Sequence, residues 1–223
     1  MKLGNTVLLG GRSLVLAGLM ALVVAAAPLA AGAHFLGGSW WYGGGLLPLS
    51  YQNNTGGFPA YTTAVSQAAT NWYFTPTPSD LYSVGGAANL TLSTFSSSGA
   101  GYWAVTQIWA NQTTCVWIFC WTNNNEIPYG AYNSPTGLGS GWSNYTSSAI
   151  AFNRYTMDGL SDWMKLKVAT HEMGHAQGLG HAYSPNCTSI MQQGFLAWNT
   201  PQPHDFYDFD QLYPGSWFYG WAC

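Results

Sequence analysis

HEMGHAQGLGH, residues His171 to His181, holds three of the chain's five histidines and one of its two glutamates. On an α-helix, His171 and His175 stand one turn apart on the same face, so two imidazoles converge on one point with Glu172 beside them. A helix continued to His181 would carry that ring about 9 Å past His175, at about 1.5 Å rise per residue. Zinc ligands sit about 2.1 Å from the ion, so the chain has to turn. Gly178 and Gly180 are the residues that allow it, because glycine ends helices at little conformational cost. Three neutral nitrogens leave a fourth zinc position open, the pattern of a catalytic site rather than a closed structural one. Zinc brings the pKa of a bound water to about 7, and Glu172 is the carboxylate placed to take its proton as a general base.

The stretch resembles the signature of the metzincin metallopeptidases, H-E-x-x-H-x-x-G-x-x-H, at every fixed position. The resemblance implies a methionine in a tight turn forming an apolar floor under the metal, and Met191 in Ser189-Ile190-Met191 is the candidate. It also implies a metzincin-like α+β zincin fold. That fold has a mixed twisted sheet with a backing helix, an active-site helix and a small C-terminal subdomain. Gln192 and Gln193 stand where astacin-like and serralysin-like members have a tyrosine ligand. This points to a matrixin-like or snapalysin-like branch, although His181 departs from the aspartate usual as third ligand in snapalysins.

Lys2 and Arg12 precede an apolar run from Leu14 to Ala33 closed by Ala31-Gly32-Ala33, which reads as a signal peptide over residues 1–33, cleaved before His34. The run is long enough to span a bilayer, so the alternative is a retained membrane anchor; both topologies place the remainder outside the cell. Residues 34–223 form one expected domain, with a sheet-bearing upper part at 34–181 and a lower part at 182–223. Four cysteines in an exported chain suggest two disulfides, Cys115 with Cys120 and Cys187 with Cys223.

Asp, Glu, Lys and Arg make up 6% of the chain, against about 25% in ordinary domains. Beyond residue 33 only Arg154, Lys165 and Lys167 are basic, against eight acids, a net charge of −5. There is no basic stripe for nucleic acid. So few carboxylates leave little for acid to protonate, which suggests an acidic extracellular habitat. Sequons at Asn53, Asn89, Asn111, Asn144 and Asn186 offer the other explanation, a glycan-covered neutral surface.

Working outward from the motif, Ser161 or Asp162 caps a helix over Trp163–Gly178. Ser148–Asn153, with Ile150 and Phe152 on one face, reads as the preceding strand. The resemblance makes it the antiparallel edge strand along which an extended polypeptide substrate lies. Leu46–Tyr51, Asn89–Phe95 and Tyr102–Trp109 read as further strands, and Pro59–Phe74 as the backing helix. Asn111–Gly141 reads as a loop or ribbon held by the local disulfide. Gln192–Pro203 is expected to line the pocket for the residue after the scissile bond. Asp205–Tyr213 reads as a final helix; its Asp205, Asp208 and Asp210 are the weaker candidates for calcium. His34 and His204 read as terminal or structural residues, and most of the 12 Trp and 14 Tyr as core.

The resemblance implies a secreted zinc endopeptidase in which His171, His175 and His181 hold the ion and Glu172 is catalytic. One rival is a zinc amidase acting on peptidoglycan or one small substrate. The other is a non-catalytic extracellular protein using zinc and aromatic surface for binding, against which the presence of Glu172 counts. The N-terminal sequence of protein recovered from culture medium should begin at His34, and finding residues 1–33 still attached would overturn the cleavage expectation.

Overall fold

The computed structural model describes Leu36, Ser39, Trp40 and residues 47–116, 119–128, 142–183, 188–194 and 197–213. The expected signal segment 1–33, His34 and the Cys187–Cys223 pairing lie outside them. The elements run β1 (Leu47–Asn53), α1 (Pro59–Tyr73), β2 (Ser79–Ser83), β3 (Leu90–Phe95), β4 (Ala104–Val116), β5 (Phe119–Glu126), β6 (Trp142–Asn153), α2 (Arg154–Met157), α3 (Asp162–Ala176) and α4 (Pro203–Leu212). The class is α+β, built on a mixed six-stranded sheet in the order β2-β1-β3-β6-β4-β5.

β1 is parallel to β2 and β3, and β3 is parallel to β6, whereas β4 runs antiparallel to both β6 and β5. Parallel neighbours need a long crossover, and α1 supplies the one between β1 and β2. Pro59 suits its first position because a missing N–H costs nothing there. Ala64, Val65, Ala68, Ala69 and Trp72 then turn a small-residue face inward. Trp72 is fully buried, donates from Nε1 to the Thr170 carbonyl at 2.9 Å, and so ties α1 to α3.

Leu90 and Leu92 on β3, Ile108 on β4 and Ile150 and Phe152 on β6 are buried at two-residue spacing, as a sheet with one face on the core requires. Burying each such side chain contributes roughly 1.5–3 kcal/mol. Asn153, also buried, ends β6 and organises the loop before β4. Its Nδ2 donates to the carbonyls of Ser97, Ala100 and Tyr102, and its Oδ1 accepts from the Ser97 and Tyr155 amides.

Several expectations need correction. Ser148–Asn153 is not an edge: β6 starts at Trp142 and is paired on both sides, by β3 and β4. Beside α3 the open margin is the start of β4, in a sheet whose outer strands are β2 and β5. The Ala104–Ile108 stretch of β4 pairs with β6 on one side, while β5 takes the other side only from Trp109 onward. The expected ribbon held by the local disulfide is present in the described part of Asn111–Gly141, β4 running on through Val116 to β5 with Cys115 and Cys120 bonded across a paired position. β2 was not foreseen. The final helix begins at Pro203, two residues before the expected Asp205.

Candidate metal centre

α3 carries the histidines, and both of its ends are fixed. Ser161, not Asp162, is the N-cap, its Oγ accepting from the Met164 amide at 3.3 Å. The helix stops at Ala176, two residues short of the expected Gly178, which takes φ +106°. That left-handed conformation suits glycine, and a Cβ there would also stand 2.7 Å from Leu212 Cδ2. Gly178 makes the left-handed turn. Carbonyls left open at a helix end need donors. Trp40 Nε1 donates to Ala176 at 2.8 Å, Tyr213 Oη to Gln177 at 2.8 Å and the Leu36 amide to Gly178 at 2.8 Å.

The turn brings His181 back to the other two rings. Ring centroids lie 4.7 Å apart for His171–His175, 5.3 Å for His171–His181 and 4.6 Å for His175–His181. One nitrogen from each ring falls within 4.8 Å of the others, which is close enough to hold one metal ion. Nδ1 of His171 faces the Ile190 carbonyl at 2.7 Å, and Nδ1 of His175 faces the Leu179 carbonyl at 2.7 Å. A carbonyl only accepts, so both Nδ1 atoms carry the proton and both Nε2 atoms keep a lone pair for a cation. Nε2 of His175 and His181 are 3.0 Å apart. Two ligands on a tetrahedral zinc at about 2.05 Å stand about 3.3 Å apart, so this pair is spaced about as that ion would require.

Burial holds the His171 imidazole down at about 4, with Lys167 acting in the same direction and the Ile190 hydrogen bond opposing. Burial and then the neighbouring rings push His175 well below its ordinary value, and burial followed by His171 holds His181 at about 3. All three are therefore neutral, as ligands must be. Glu172 is pushed up to about 7 by burial, against the hydrogen bond from Thr106. Thr106 Oγ1 lies 2.5 Å from Glu172 Oε2 and 3.2 Å from the Glu172 carbonyl, so β4 fixes the carboxylate.

Met191 is fully buried in the turn that follows. A Cβ on Gly174 would meet its sulfur at 2.3 Å and Trp72 Cζ2 at 3.0 Å, so the glycine inside the motif is what lets Met191 approach α3. Asp205 builds the turn. Its carboxylate accepts from Ser189 Oγ, from the Ile190 amide at 2.8 Å and from the Gln202 amide at 2.7 Å, while Ser189 Oγ accepts from the Met191 amide at 2.9 Å. Burial raises Asp205 to about 7 against those bonds. Asp205 therefore serves as a structural anchor rather than the calcium ligand weighed above. His204, buried against Asp208 at 3.4 Å, stands apart from the three rings.

Two cavities flank His171 and Glu172. One of about 320 Å³ runs along Ala104, Val105 and Thr106 and reaches His175 and His181. The other, about 160 Å³, is lined by Trp103, Lys167, Val168 and Gln192–Gly194. Thr106, Gly174 and Lys167 were missed as site residues, and Asp205 was considered only for calcium. Only Gly174 left a local signal, its place within the motif. No protein-family model matches the chain, and none of the curated proteins matches it significantly.

Two outcomes follow. Gly174→Ala should displace Met191 and cost about 1–3 kcal/mol, read as a lowered denaturation midpoint with weakened zinc binding. Because the depressed imidazoles stay neutral well below 6.5, zinc affinity measured by equilibrium dialysis should fall less than about tenfold from pH 7 to pH 5. Three unperturbed imidazoles would lose roughly 10⁴-fold over that interval.

Proposed function

We propose that the chain is an exported zinc-dependent endopeptidase of the metzincin type. The observation that carries the reading is the convergence of His171, His175 and His181, the first two with their Nδ1 protons tied off, next to a carboxylate that is not needed as a ligand. His171, His175 and His181 would hold zinc. When bound, zinc would supply Lewis acidity, activating water and polarising a carbonyl.

Glu172 accepts the proton of the attacking water and passes it to the leaving amine, with Thr106 keeping its carboxylate in place. Burial sets Glu172 close to neutrality before any cation is present, in the range where a group both takes and returns a proton. Met191 supports the rings from below, across Gly174.

The polypeptide substrate lies extended along Ala104–Gln107 of β4, where among the described residues no strand pairs with the outer edge. Main-chain pairing of this kind holds a peptide whatever its side chains. Export rests on the N-terminal apolar run; among the described residues no helix is long and apolar enough to cross a membrane.

Glu172→Gln should keep one zinc per chain and lose at least about 10²-fold in hydrolysis of denatured casein. Casein cleavage by that variant at the wild-type rate would overturn the role given to Glu172. A zinc-loaded wild type that leaves casein and a peptide library intact would overturn the endopeptidase reading.

A further inference from the structure

The cleft contains a cation that the proposed hydrolysis does not use. Of the three basic residues after residue 33, Arg154 pairs with Asp158 at 3.3 Å, and Lys165 donates to the Leu160 and Asp158 carbonyls. Neither lines the two cavities beside Glu172. Lys167 does. It sits on α3 one turn before His171, on the same helix face, and is only 3% exposed. Its ammonium donates to the Gly194 carbonyl and lines the smaller cavity together with Trp103, Val168, Gln192 and Gln193.

An ammonium has three donors, and Gly194 uses one. Among the described residues no carboxylate lies within ion-pair distance of Lys167. A buried charge without a counter-charge is expensive, and an anion brought into the cavity would remove that cost. Burial lowers the affinity of Lys167 for its proton, which an entering carboxylate would reverse. The cavity, about 160 Å³, has roughly five times the liquid-volume share of one water, enough for the five heavy atoms of a glutamate side chain. Trp103 and Val168 provide apolar wall for its methylenes, and the ammonium receives its end.

We propose that this cavity is a subsite for an acidic side chain, and that Lys167 makes the enzyme select glutamate, then aspartate, immediately after the scissile bond. The inference rests on the endopeptidase reading. It adds the substrate class to that reading.

The test is a peptide-library digest by the zinc-loaded full chain, with cleavage positions assigned by mass spectrometry. It is followed by kcat/KM for paired peptides that differ only in Glu or Leu after the cut. Acidic residues should dominate that position, and Glu should exceed Leu by at least tenfold. Lys167→Met should reduce the Glu-to-Leu ratio at least tenfold, and Lys167→Arg should preserve the preference for Glu. Cleavage with no acidic preference in the wild type would overturn the inference and leave the peptidase reading intact. An equal fall for both peptides in Lys167→Met would make Lys167 a tether for Gly194 and would also overturn it. No cleavage at all would remove the peptidase reading and this one with it. Should the Met variant fail to fold, the wild-type digest and the Arg variant decide the matter.

Discussion

The site depends on the hydrogen bonds that tie imidazole Nδ1 atoms to main-chain carbonyls. His171 is held by Ile190 and His175 by Leu179, and each bond both aims a ring and fixes which nitrogen keeps its lone pair. Leu179 can play this part only because Gly178 reverses the chain directly after α3. The same reversal sends His181 inward. One backbone conformation thus supplies a ligand and orients another.

The histidine constellation was legible because helical periodicity and glycine conformational freedom act over a few residues. The alternations Leu90–Leu92 and Ile150–Phe152 were legible for a similar reason, since each strand turns one face to the core. β2 was not: Ser79–Ser83 is short and largely polar, and its structure comes from pairing with β1. The outer half of β4, Asn111–Val116, is mostly exposed and polar, so no alternation marks it. Calling β6 an edge failed because edge status belongs to a strand's neighbours and not to its own residues. Thr106 and Trp40 reach the site from 66 and 136 residues away in sequence, distances over which no local pattern carries information.

The low charge also looks different once the site is in view. Several of the few ionisable groups are concentrated around the motif: Glu172 and Asp205 buried with raised pKa values, and Lys167 buried beside the first ligand. The polar surface left over is mostly uncharged amide and hydroxyl, with Glu126, Asp158 and Asp162 as its exposed carboxylates among the described residues. Burying ionisable groups costs stability unless each has a partner, so their gathering at one cleft marks where the fold accepts that cost.

Asp205 has a consequence that reaches beyond its own hydrogen bonds. It clamps Ser189 and Ile190 to the start of α4, and Ile190 in turn holds the ring of His171. The described stretch Ser189–Met191, the start of α4 and the first ligand are therefore tied into one hydrogen-bonded unit. Any cation that grips the rings must also quieten the breathing of this stretch, and any loosening of α4 must raise the rate at which the cation escapes.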